Sequence, residues 1–125
     1  MARTLSKFHY STLFIESSAF SDADRLHDEL AFKLGLPSWY GRNLDALLDC
    51  LSSIGDSQSN LCCHWEWRTE KRLVLLLRGF SLKIVDAELL LAFAKTVADA
   101  NDRLEQGGAT NRIWVEYTTA DRNES

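Results

Sequence analysis

Asp45 and Asp49 stand four residues apart in the stretch LPSWYGRNLDALLDCL, residues 36–51. On a helix that spacing stacks two carboxylates one turn apart on the same face, at a cost of roughly 0.2–0.5 kcal/mol. Two kinds of chemistry use such a pair: general acid–base catalysis, and the display of negative charge to a basic partner. Catalysis wants a cleft that perturbs the carboxyl pKa values, whereas acids at i and i+4 project side by side from a convex helical surface. No Lys or Arg follows Asp49 at three or four positions to relieve the repulsion. Asp45, in the first turn, gains from the helix dipole, and Asp49 gains little. A solvated acidic face is the ordinary explanation of such a pair. What distinguishes this one is Trp39-Tyr40-Gly41 leading straight into it, which sets aromatic surface beside negative charge.

Other reactive side chains are scattered. Cys62-Cys63-His64 invites a metal reading, but adjacent cysteines in an extended segment face opposite sides, and no CxxC or HxxxH spacing is present, so no zinc site is expected. Three cysteines, an odd number, make no disulfide framework and suit a reducing compartment. Cys50 lies beside a leucine stripe and is expected to pack as a small hydrophobe. Of His9, His27 and His64, His27 falls near an apolar helical stripe and reads as a satisfied, partly buried histidine. There is no GxSxG, P-loop or GxGxxG, and Gly107-Gly108 ends a helix rather than starting one. The pattern points to a binding protein, not an enzyme, with no cofactor.

The acidic pair needs a rigid support, and the same stretch supplies one. Gly35 and then Pro37 close a preceding helix. Trp39-Tyr40-Gly41 makes a turn in which Gly41 is expected to take a positive φ. Asn43 is a good N-cap. Leu44, Leu47, Leu48 and Leu51 then form one helical stripe, with Asp45, Asp49 and Ser52 opposite, and Asp56 if the helix runs that far.

Around this core the chain reads in order. Residues 1–7 form a loose lead-in. Residues 12–15, extending back to Tyr10, read as a strand. Ser21 with Asp24 resembles a capping box for a helix carrying Ala23, Leu26, Leu30 and Leu34, flanked by His27 and Ala31. Residues 52–60 are a loop by composition, and 61–67 alternate well enough for a short added edge strand. Residues 73–77, LVLLL, read as a strand buried on both faces. Residues 81–85 allow one short turn. Asp86 caps a long helix to about Glu105, with Ala87, Leu90, Leu91, Ala94, Val97 and Ala98 expected on its buried side. Residues 112–117, RIWVEY, form the last strand, and 118–125 a loose tail. The expected fold class is α/β: one domain over residues 1–125, with a small, mainly parallel sheet of about three strands covered by three to four helices.

Composition bounds the function. With 125 residues, 46% hydrophobic and 26% charged, the chain is an ordinary globular length and mix. A net charge of −4 speaks against direct nucleic-acid binding and is compatible with a basic partner. No apolar run approaches the length needed to cross a bilayer, and FHYSTLFI is too short and polar for a signal segment, so a cytoplasmic protein, monomeric when free, is the expectation.

The stretch LPSWYGRNLDALLDCL resembles the signature of the barstar family, intracellular protein inhibitors of microbial guanyl-type ribonucleases: a proline, an aromatic pair, Gly, any residue, Asn-Leu-Asp-Ala-Leu, one residue, then Asp-Cys-Leu. Weaker similarity runs through DADRLHDELAFKLGLP upstream and LVLLLRGF downstream. The resemblance implies a barstar-like fold and an immunity-type inhibitor of a secreted or toxin-type basic ribonuclease. It also implies a site made of Trp39, Tyr40, Gly41, Asn43, Leu44, Asp45, Leu48 and Asp49. Asp49 would be the main mimic of an RNA phosphate, Asp45 a second charged contact, Trp39 a stacking group at the partner's catalytic rim. Within that family the position matching Asp49 is the reference case of an interface hot spot, so its energetic weight is inherited from the resemblance. Trp39 stands where the best-known member has Tyr and Leu48 where it has Trp, and an acidic contact from the last helix has Asp99, Asp102 and Glu105 as candidates. The competing reading is a regulatory module of the same fold whose acidic helix binds another basic protein.

Overall fold

The computed structural model describes residues 10–53, 72–81 and 83–119. Strand β1 (Tyr10–Glu16) leads through a 3-10 turn (Ser17–Ser21) into helix α1 (Ala23–Leu34) and then α2 (Leu44–Ser52). Strand β2 (Arg72–Phe80), helix α3 (Ala87–Gln106) and strand β3 (Arg112–Thr119) follow. The strands form one sheet in the order β1-β2-β3, parallel throughout. The fold class is therefore α/β, as expected. The proposed edge strand at 61–67, the Cys62-Cys63-His64 cluster, His9, Asp56 and the lead-in 1–7 lie outside the described residues.

Stepping from β1 to β2 to β3 in one direction, right-handed crossovers put their helices on the same face of the sheet. The burial pattern agrees. Ile15 of β1, Leu73, Leu75 and Leu77 of β2 and Ile113 of β3 belong to one core with Leu26, Leu30 and Leu34 of α1, Leu47 and Leu51 of α2, and Phe93, Val97, Ala100 and Leu104 of α3. Phe20 and Phe93 meet edge to face inside it, ring centroids 5.1 Å apart. The alternate positions face the other way. There Arg78 pairs with Glu16 at 2.6 Å and lies over Phe14, and Arg72 lies over Trp114. Leu73, Leu75 and Leu77 are buried on the core face, but burial of β2 on both faces is only partly met. On the outer face Val74 is buried while Leu76 is half-buried, because no helix among the described residues covers that side.

Several expectations are corrected. The N-cap of α1 is Asp22, whose carboxylate accepts from Arg25 N–H, not Ser21, which closes the 3-10 turn instead. Ala23 is exposed. Helix α3 does start after Asp86, which accepts from the N–H groups of Glu88 and Leu89, but its buried face is Phe93, Thr96, Val97, Ala100 and Leu104. Ala87, Leu91, Ala94 and Ala98 are exposed. Two overlapping stripes satisfy helical spacing here, and the one holding the bulkier Phe93 turns inward. Strand β3 runs two residues past Tyr117, so Thr118 and Thr119 belong to the sheet, with Thr119 opposite Phe80 across an irregularity that contains Gly79 at φ 69°.

Candidate functional site

The turn before α2 is built in three steps. Gly35 ends α1 in the left-handed conformation, φ 66°, and donates its N–H to Ala31 O. Pro37 O then accepts from Tyr40 N–H at 2.9 Å, folding the chain into a tight turn that throws two adjacent aromatics in opposite directions. Trp39 is 60% exposed, while Tyr40 is buried at 7%. The Tyr40 hydroxyl meets His27 Nδ1 at 2.6 Å, so the histidine without an evident partner in sequence has one in space. Burial, reinforced by the positive charge of Arg42, lowers the His27 pKa below its usual 6.5. Burial likewise raises that of Tyr40, with a smaller push from Cys50. A neutral imidazole bonded to a protonated phenol follows from both shifts.

Gly41 does not have a positive φ; Arg42 does, at 58°. What Gly41 supplies is proximity, since a Cβ there would stand 3.2 Å from the Ala46 Cβ. The strain of the reversal falls on Arg42, held by Asp28 at 2.6 Å and by Asp24 at 3.7 Å from α1. Arg42 also donates to the Asp24 carbonyl. Asn43 follows as the N-cap, its Oδ1 accepting from Ala46 N–H at 2.8 Å and its Nδ2 donating to Gly41 O. The direction in which α2 leaves the turn is thus set by contacts to α1.

On α2, Leu47, Cys50 and Leu51 are buried, and Leu44 and Leu48 are half-buried against the core. Asp45 and Asp49 are exposed on the other side. Asp49 is not unpaired, however. Its Oδ1 accepts from Arg103 Nη1 of α3 at 2.9 Å, with the side chains 59% and 50% exposed respectively. Among the described residues Asp45 has no ion-pair partner. The helix ends with Ser52 Oγ donating to Leu48 O and Ser53 Oγ to Asp49 O at 2.7 Å, which satisfies carbonyls that a helix end leaves open. Of the last-helix acids, Asp99 pairs with Lys95 at 3.1 Å, while Asp102 and Glu105 are exposed.

The structure therefore divides the eight expected site residues. Trp39, Gly41, Asn43, Asp45 and Asp49 are each exposed. Leu44 and Leu48 offer only part of their side chains, and Tyr40 supports the turn from beneath rather than lining an approach to it. Arg103 and Arg42 are the residues that sequence reasoning missed. Arg103 carried one faint signal, a basic residue in the last turn of a helix.

A family model described as Barstar (barnase inhibitor) matches residues 10–117. A Bacillus subtilis (strain 168) protein named "Putative ribonuclease inhibitor YrdF" is 50% identical over 40 residues, which cover 32% of this chain and 44% of that relative's length.

Proposed function

The chain belongs to the barstar family, and from that premise we propose that it inhibits a microbial, barnase-like ribonuclease by covering the enzyme's active site. The observation that carries this reading is the joint exposure of Trp39, Asp45 and Asp49 on a helix whose start is fixed by Asn43. A ribonuclease collects cations to hold RNA phosphates. A rigid helix that offers carboxylates can enter the same electropositive pocket, so that Asp49 and Asp45 stand where phosphate oxygens would. Trp39 adds the large, rigid apolar contact that interfaces favour at their centre. The inhibitor itself performs no chemistry. Asp45 and Asp49 stand in solvent, without the enclosure that acid–base catalysis requires. The partner is a basic protein of the secreted or toxin type. The inhibitor protects RNA in the cytoplasm of the cell that makes the nuclease, and among the described residues no helix is long and apolar enough to cross a membrane.

Purified protein is expected to stop RNA cleavage by barnase, or by another member of a panel of barnase-like ribonucleases, at near-stoichiometric ratios. Asp49→Ala should weaken the complex by at least about thirtyfold, the threshold of a hot spot, and Trp39→Ala should weaken it by a smaller factor. A panel that keeps full activity would favour the other reading, a regulatory module of the same fold that binds a different basic protein. The half-burial of Leu48 leans toward that alternative, because it narrows the apolar contact beside Asp49.

A further inference from the structure

The carboxylate expected to dominate binding is already engaged within its own chain. Arg103 reaches across from the last turn of α3 and holds one oxygen of Asp49 through one nitrogen. The contact is not the two-point clamp that would lock either side chain. Both groups remain at least half exposed, so the pair is exchangeable. Its placement has a consequence for any partner. A cationic pocket closing on Asp49 must either displace the Arg103 guanidinium or bring its own positive charge up against it. Both outcomes subtract from binding, and they do so most for partners that offer nothing but positive charge. Asp45, one turn earlier, has no such counter-ion among the described residues, so the two carboxylates are not equivalent as they meet a partner.

We propose that Arg103 is a specificity-determining residue of this surface: it competes with the partner for Asp49 and so penalises indiscriminate binding to basic proteins. The inference rests on the inhibitor reading given above. Arg103 touches no reacting atom and acts only through Asp49, so its effect should vanish when Asp49 carries no charge. A merely structural role would behave differently, changing stability with or without that carboxylate.

The test uses the full chain and barnase as the probe, with association and dissociation followed for the wild type, Arg103→Gln, Asp49→Asn and the double variant. Arg25→Gln, which removes the same charge from α1, serves as the control for net charge. Arg103→Gln is expected to tighten the complex by about two- to fivefold, the range of an exposed ion pair. In the Asp49→Asn background the same change should fall to the effect of Arg25→Gln. Equal or weaker binding by Arg103→Gln, alongside tight binding by the wild type and a large loss in Asp49→Asn, would overturn the inference and leave the inhibitor reading standing. No inhibition by any form, across the ribonuclease panel, would overturn that reading and this inference with it. Should Arg103→Gln fold poorly by circular dichroism, Arg103→Met supplies the same comparison.

Discussion

Trp39 and Tyr40 are neighbours in sequence with opposite placements: the phenol of Tyr40 is buried against a partner, and the indole of Trp39 is exposed. Tyrosine can be buried if its oxygen finds a partner, and His27 provides one at 2.6 Å. Tyr40→Phe should therefore leave a buried ring nitrogen unpaired and cost about 1–3 kcal/mol by urea denaturation, an unchanged midpoint being the contrary result. The same pair sets a pH response. The His27 pKa is lowered in the fold, so the unfolded chain binds a proton more readily than the native one. Stability from this group is then complete above about pH 6.5, its unfolded value, and is lost as pH falls toward the lower folded value. A histidine resonance that titrates at or above 6.5 in the folded protein would contradict it. Arg42 makes a separate trade. A side chain in the left-handed region costs about 1–2 kcal/mol, and solvent-exposed ion pairs such as those to Asp28 and Asp24 return little against it. Arg42→Gly removes the strain with the pairs, whereas Arg42→Ala removes only the pairs. The glycine variant should be the more stable of the two by about 1 kcal/mol, and the reverse order would show that φ 58° carries no strain here.

At the scale of elements, the signals read well from sequence were those that act within a few residues. Asn43 and Asp86 cap their helices, and Gly35 ends α1, because each needs only its own local backbone to do so. The signals that failed needed a third dimension. Glycine tolerates a positive φ, which is what its presence at 41 suggests, but here the small residue accommodates the approach of Ala46, and the positive φ falls on Arg42. The inward face of α3 was ambiguous for a different reason. Leu91 and Phe93 both fall on helical stripes, and only the packing of Phe93 against Phe20 decides between them. That decision is open to measurement. Phe93→Ala should cost about 3–5 kcal/mol, as a fully buried ring removed from a core does, while Leu91→Ala, at a position 69% exposed, should fall within about 0.5 kcal/mol of zero. Comparable losses for both would restore the face first read from the sequence.

For the molecule as a whole, the parallel sheet was legible because residues 73–77 of β2 form an unbroken apolar run, the mark of a central strand. The acidic helix was legible as a motif, but its charge balance was not. Arg103 lies 54 residues from Asp49, and no spacing rule connects them. The proposed contact surface is consequently less negative than the sequence of α2 suggests, with Asp45 and Asp49 partly offset by one guanidinium. The chain still carries a net charge of −4, and a field of that sign draws in a basic protein before any contact forms. If the carboxylates act through that field, the association rate constant with barnase should fall steeply as ionic strength rises from about 0.01 to 0.15 M, where the screening length shrinks from about 30 to 8 Å. Dissociation should change far less, because contacts already made are shielded from salt. Arg103→Gln should steepen the dependence, since it uncovers one more unit of negative charge at the contact itself. An association rate that ignores salt, with affinity retained, would mean that Trp39 and the apolar rim bring the two proteins together, and that the acids of α2 matter only after docking.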